Sequence, residues 1–257
     1  MKLKQVIQQL SIPDPGLESL QERCYWLECE RAYTYQPIYK TDGRLMAIEV
    51  LTVVTHPERP GQRIAPDRYF SEVAVRQRID VIKEQLAALN EKQRFFEDND
   101  VLASVNVDGP TLMAMRQEPQ LLAQIRATPW LRFELVEHVR LPQDSTIASI
   151  CEFGPLWLDD FGTGMANFSA LSEVHYDYIK VARDLFIMLR KTPEGRNLFI
   201  LLLQLMNRYC QGVIVEGVET LEEWRDVQQS PAFAAQGYFL SRPVPLATLE
   251  NVMLKLV

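Results

Sequence analysis

The chain has 257 residues, 47% of them hydrophobic and 24% charged, with a formal net charge of −7. That length suits one large α/β domain or two small ones, and the composition is ordinary for a soluble globular protein with a sizeable core. The acidic balance offers no footprint for duplex nucleic acid or an anionic membrane, yet is compatible with a small anionic substrate held through metal ions.

Cys24, Cys29, Cys151 and Cys210 form no Cys-x-x-Cys pair, and with three histidines in the chain they argue against a structural zinc site. With no secretion signal at the N-terminus, they are expected to be reduced thiols in a cytoplasmic protein. The longest apolar run, Phe199–Leu203 and on to Met206, is broken by Gln204. It is far shorter than the ~20 residues a membrane helix needs, so no membrane segment is expected.

In chain order, residues 1–29 read as two short helices around Ile12-Pro13-Asp14-Pro15-Gly16, an N-terminal extension packed on a main domain spanning 30–257. Tyr33–Tyr39 and Leu45–Val54 are β-rich and flank Asp42-Gly43, a hairpin signal. Residues 55–65 read as a Pro-rich loop, and Pro66 to about Asp98 as helical. The chain then alternates. Strands are expected at Leu102–Val107, Leu131–Val136, Leu156–Asp159, Tyr178–Val181, Gly212–Val215 and Ala235–Leu240. Helices are expected at Pro110–Ile125, Ser145–Glu152, Asp184–Arg190, Gly195–Cys210 and Leu221–Gln229. Repeated strand–helix units on this scale point to a parallel α/β fold closed as a barrel.

Five of these strands carry a carboxylate or amide at or near the C-terminal end: Glu49, Asn106, Glu134, Asp159 with Asp160, and Glu216. Lys180 ends another strand. In parallel barrels that end holds the active site. Adjacent carboxylates repel unless a cation lies between them, and these hard oxygen donors suit Mg²⁺ or Mn²⁺. Too many carboxylates converge for one ion, which suggests two metals sharing a bridging Asp, as in in-line attack on phosphodiesters. Lys180 could position the attacking water or offset charge on the phosphoryl oxygens. Each residue alone reads more simply as a solvated strand end, a turn former or a surface ion-pair partner. The coincidence of all of them favours a site. Glu137 and Glu219 each follow a site acid by three residues and read as supports for ligands or loops.

In order along the chain stand Gln36-Pro37-Ile38, Glu49-Val50-Leu51, Asn106, Glu134-Leu135-Val136-Glu137, Asp159-Asp160-Phe161-Gly162-Thr163-Gly164, Lys180, Glu216-Gly217-Val218-Glu219-Thr220 and Gln236-Gly237-Tyr238. Together they resemble the EAL domain, nearest to the stand-alone members of enteric bacteria that keep cyclic di-GMP low. The resemblance implies a modified TIM-like (β/α) barrel with one antiparallel strand. It implies metal-dependent hydrolysis of cyclic di-GMP to linear pGpG, favouring motility over biofilm. It also implies two Mg²⁺ or Mn²⁺ per site and inhibition by Ca²⁺. By position, Glu49, Asn106, Glu134 and Asp159 would hold one metal, and Asp159, Asp160 and Glu216 the other. Lys180, Glu49 and Glu216 would serve the chemistry, Gln36, Gln236 and Pro243 the substrate, and Glu137 and Glu219 the loops. Family members often dimerise through helices near the Asp-Asp loop, and the apolar helix at 197–206 is compatible with a homodimer, although core packing is expected for most of it. Two departures stand out. Val50 replaces the signature Ala, and Val53 stands where active relatives usually carry an Arg on a substrate phosphate, which implies weaker substrate binding. The alternative reading is a catalytically weak EAL module that binds cyclic di-GMP or a protein partner. A third is a barrel hydrolase acting on another phosphodiester.

Overall fold

The computed structural model describes residues 24–136, 153–163 and 176–256. Most of the expected N-terminal extension, the expected helix Ser145–Glu152, Glu137 and Gly164 lie outside the described residues. The strands are β1 (Glu30–Lys40), β2 (Leu45–His56), β3 (Arg59–Ile64), β4 (Leu102–Val107), β5 (Leu131–Val136), β6 (Leu156–Phe161), β7 (Tyr176–Val181), β8 (Gly212–Val215), β9 (Ala234–Ala235) and β10 (Val244–Pro245). The helices are α1 (Pro66–Glu72), α2 (Val75–Asn90), α3 (Gln93–Asn99), α4 (Gly109–Met115), α5 (Pro119–Arg126), α6 (Arg183–Arg190), α7 (Pro193–Met206) and α8 (Leu221–Gln228).

Two compact units emerge. One comprises the described residues up to Ala32 together with Thr52–Arg78, the other Tyr33–Leu51 and the chain from Ile79 onward. In the smaller unit Tyr25 stacks on His56 at 3.9 Å, Trp26 meets Tyr69 edge-on, and Arg31 donates to the Tyr69 hydroxyl. The end of β2 pairs with β3 through Val54 and Ile64.

In the larger unit the ring runs β1, β9, β8, β7, β6, β5, β4, β2 and back to β1. Pairing is parallel from β2 through β4 to β9. β1 closes the ring, antiparallel to β9 and joined to β2 by the expected hairpin, whose turn rests on Gly43 at φ 84°. This is the expected α/β barrel with one antiparallel strand.

The interior is laid down in two layers by the period-2 alternation of strand side chains. The lower layer is apolar: Ile38, Ala47, Trp157, Tyr178, Ile214 and Ala234 pack together, with Met46 completing the cluster. Burying one ring the size of the Trp157 indole removes roughly 150–250 Å² from water, a stabilisation of about 4–6 kcal/mol. Two residues further along β2, β6, β7, β8 and β9 comes the polar layer: Glu49, Asp159, Lys180, Glu216 and, just past β9, Gln236. On antiparallel β1 the step reverses, and Gln36 lies two residues before Ile38. Strand direction alone therefore decides which end of the barrel is reactive.

Several boundaries differ from expectation. Part of the supposed Pro-rich loop at 55–65 is β3, an exposed edge strand where Pro60 has no ladder bond to lose. Pro66–Asp98 is three helices, and Pro110–Ile125 is two, broken where Pro119 starts α5. The strand expected at Ala235–Leu240 is β9, which stops at Ala235, because the chain turns back with Leu240 and Ser241 both donating to the Gly237 carbonyl. In α7, Phe199, Leu203 and Met206 face the core, while Leu198, Leu201 and Leu205 are exposed, so core packing claims only part of that helix.

Candidate active site

The polar layer converges on Lys180. Its ammonium is fully buried and lies 2.7 Å from Glu134, 2.8 Å from Glu216, 3.0 Å from Asp159 and 3.1 Å from Glu49. An ammonium has three N–H donors, so four carboxylates cannot all be hydrogen-bonded to it. Asp159 Oδ1 has no hydrogen bond despite its 3.0 Å approach, and its contact with Nζ is Coulombic. Asn106 Nδ2 donates to Glu49 Oε1 at 2.7 Å, and Gln236 Nε2 donates to Glu49 Oε2 at 2.7 Å. Gln236 also donates to Gln36, whose own amide donates to the Ser241 carbonyl. Six expected site residues, from β2, β4, β5, β6 and the ends of β8 and β9, thus share one network of hydrogen bonds and ion pairs with Lys180, and Gln36 joins it from β1.

The electrostatics follow from burial. Burial opposes the charged form of Glu49, but Lys180 and the donors Asn106 and Gln236 outweigh it and hold its pKa below the ordinary value. Glu134 is pushed well up by burial, with Glu49 and Asp159 adding to the effect against Lys180. Asp159 is raised by burial, opposed by Lys180 and reinforced by Glu49 and Asp160. Burial raises Glu216 to about 8. Burial alone would lower Lys180, but its four carboxylates raise it well above the usual lysine value. One ammonium against four carboxylates leaves the site short of positive charge.

That deficit is the test of fit for a metal. Buried Glu134 Oε1, Asp159 Oδ1 and Gln236 Oε1 have no hydrogen-bond partner, and they are hard oxygen donors of the kind Mg²⁺ and Mn²⁺ prefer. Among the described residues no three acidic, Cys or His side chains form a ready metal cage, since Lys180 Nζ occupies the point on which the acids converge. The donor set and the charge fit divalent ions.

Asp160 is brought to the rim by a local irregularity. Between Leu158 and Phe161, β6 advances one residue more than β7, and Asp160 takes a left-handed φ of 56°. This bulge breaks the alternation that would otherwise send consecutive aspartates to opposite faces. Asp160 does not touch Lys180, and it is half-buried beside Asp159. Pro243 is half-exposed just ahead of β10, close in sequence to the Ser241 carbonyl that holds Gln36. Glu219 is exposed and pairs with Arg183 at 2.9 Å, outside the acidic network. Glu137 lies outside the described residues. Sequence reasoning missed Arg183, which reaches the loop after β8; its signal was a basic residue three positions past Lys180, opening the next helix.

The EAL domain profile matches residues 18–243. The chain belongs to the EAL domain family. Cyclic di-GMP phosphodiesterase PdeH of Escherichia coli K12 is 69% identical over 254 residues, covering 99% of this chain and 100% of that protein. Cyclic di-GMP phosphodiesterase NbdA of Pseudomonas aeruginosa is 25% identical over 237 residues, covering 85% of this chain and 30% of NbdA. Among solved structures, the EAL-like domain protein YdiV superposes with a TM-score of 0.80 at 17% identity, over 90% of this chain and 100% of that one. The EAL enzyme Bd1971, in a form bound to cAMP and cyclic di-GMP, superposes with a TM-score of 0.78 at 19% identity, over 96% of this chain and 71% of that one. At such identities the structures establish the EAL barrel fold.

Proposed function

We propose that this EAL protein is a metal-dependent phosphodiesterase that hydrolyses cyclic di-GMP to linear pGpG. The observation that carries the reading is the convergence of four carboxylates on one buried lysine at the C-terminal end of the barrel, with oxygens left uncovered. Full-length similarity to PdeH, named a cyclic di-GMP phosphodiesterase, supports the substrate. Glu49, Asn106, Glu134 and Asp159 would hold one Mg²⁺ or Mn²⁺, and Asp159, Asp160 and Glu216 a second. Ions bound there would polarise phosphoryl oxygens and supply a water of lowered pKa.

The remaining roles belong to the chain. Lys180 stands at the centre of the acids, where its ammonium would donate to a water or offset charge building on the phosphoryl group. Asn106 and Gln236 grip Glu49 from two sides, fixing the direction of its oxygens. Gln36, Gln236 and Pro243 would border the substrate. Glu219 would anchor the loop after β8, and Glu137 the loop after β6. Ca²⁺ would inhibit, because its longer bonds and looser geometry misplace the water.

Among the described residues no helix is long and apolar enough to cross a membrane, and we place the protein in the cytoplasm. Acting there, it would lower cyclic di-GMP and favour motility over biofilm. The exposed Leu198, Leu201 and Leu205 of α7 are compatible with a homodimer, which sedimentation over a range of concentrations would reveal.

The test is product analysis of purified protein with cyclic di-GMP and Mg²⁺ or Mn²⁺, beside Glu49→Ala. Metal-dependent pGpG from the wild type alone is expected. Nucleotide binding without cleavage would turn the reading to a non-catalytic module.

A further inference from the structure

We infer that Arg183 is a positioning residue that sets the aim of Glu216. It is the first residue of α6, three positions after Lys180. Its guanidinium reaches across to the loop leaving β8. Nη1 donates to the Gly217 carbonyl, Nη2 pairs with Glu219 at 2.9 Å, and Nη1 lies 3.4 Å from Glu223. Glu223 in turn accepts from the Glu219 amide at 2.6 Å and closes the capping box of α8 with Thr220. The loop at 217–220 is therefore held by one side chain from α6 and one from α8.

Packing leads to the same assignment. Gly217 has φ 66°, and a Cβ there would lie 2.6 Å from Arg183 Cβ and Cδ. The arginine stem occupies the space a side chain at 217 would need, so Gly217 and Arg183 are matched. Glu216, the residue before this contact, is tethered on its other side by its amide, which donates to the Val181 carbonyl at 3.0 Å. Its carboxylate meets Lys180 at 2.8 Å. Val181 and Arg183 both follow Lys180 in sequence, so the segment that carries the lysine also sets the backbone that carries Glu216. Arg183 and Glu219 are each more than a third exposed or close to it, so their ion pair contributes little by itself. The carbonyl bond and the stem contact are what fix the loop.

The turnover arm of the test rests on the phosphodiesterase reading, and two other arms do not. Arg183→Met keeps the apolar stem and removes the donors. In that variant, kcat for pGpG release should fall roughly 10–100-fold with KM changed less than about threefold. Half-saturation by Mn²⁺ in calorimetry should rise about tenfold. Amide exchange of the peptide covering 215–219 should accelerate. Arg183→Lys should recover part of each loss, because its ammonium keeps the charge but lacks the planar fork that spans the Gly217 carbonyl and Glu219. If Arg183→Met does not fold, Gly217→Ala, whose methyl would lie 2.6 Å from the Arg183 stem and disturb that contact, should shift the same readouts in the same direction. Wild-type values for exchange and Mn²⁺ half-saturation in a folded Arg183→Met would overturn the proposal. If the wild type makes no pGpG, the phosphodiesterase reading fails, and the exchange and Mn²⁺ measurements still decide the role of Arg183.

Discussion

At the residue scale, Lys180 holds together charges that would otherwise repel. A lysine at a solvated strand end could be replaced with little loss of stability, but this one is fully buried against four carboxylates. Removing it leaves uncompensated buried charge, at a cost of about 3–5 kcal/mol. Lys180→Met should therefore lose turnover and also unfold at a clearly lower urea concentration when metal-free; a wild-type midpoint would contradict its role as internal counter-ion. The cysteines behave differently. Cys210 is held by the Met206 and Gly212 carbonyls, and burial pushes its thiol up to about 11. At pH 8 only about one thiol in a thousand is then ionised, since the thiolate fraction falls tenfold per unit below the pKa. Alkylation at Cys210, followed by peptide mass spectrometry, should accelerate about tenfold per pH unit from 8 to 10. Rapid labelling at pH 8 would show that the thiol is not shielded as described.

At the element scale, the capping box of α8 links a helix start to the site. Thr220 Oγ1 accepts from the Glu223 amide, and Glu223 reaches back to the Thr220 amide. Thr220→Ala should cost about 1 kcal/mol of stability, read from denaturant unfolding, and loosen the loop that follows Glu216. No measurable loss would mean that Arg183 and Glu223 hold the loop without the cap. The legibility of the chain divides along similar lines. The β1–β2 hairpin could be read because Asp42-Gly43 supplies a residue that tolerates φ 84°. The acidic layer could be read because strand side chains alternate, so an acid two residues past an apolar core position faces the same interior. β3 could not, because an exposed edge strand has no buried face to impose a pattern. The breaks within 66–98 were hidden for another reason. No proline or glycine marks them, and the turn at Val73 depends on tertiary packing. At the site itself, the meeting of Lys180 with all four acids was visible as a shared rim. The tie from Arg183 to Gly217 was not, because its partners lie 34 residues apart and an arginine opening a helix reads as a solvated residue.

At the scale of the whole molecule, the barrel gathers negative charge at its centre in a chain that is already acidic, with a net charge of −7. Closure by antiparallel β1 brings Gln36 to the same end as the acids and completes the wall around them. Excess buried negative charge at the site opposes folding, and divalent ions that bind only the folded form should stabilise it by mass action. At a concentration 100 times Kd the gain is about 2.7 kcal/mol, which for a chain of this size corresponds to a rise in Tm of roughly 5–10 °C. Glu134→Gln separates this effect from a general salt effect. Glu134 is fully buried, its pKa is driven up by burial, and its Oε1 has no partner. A glutamine can still accept from Lys180 while removing one negative charge. The metal-free variant should melt at or above the wild-type temperature, and Mg²⁺ or Mn²⁺ should raise its Tm much less. A metal-free Tm several degrees below wild type, or an undiminished shift with metal, would show that excess buried charge at Glu134 is not what the ions relieve.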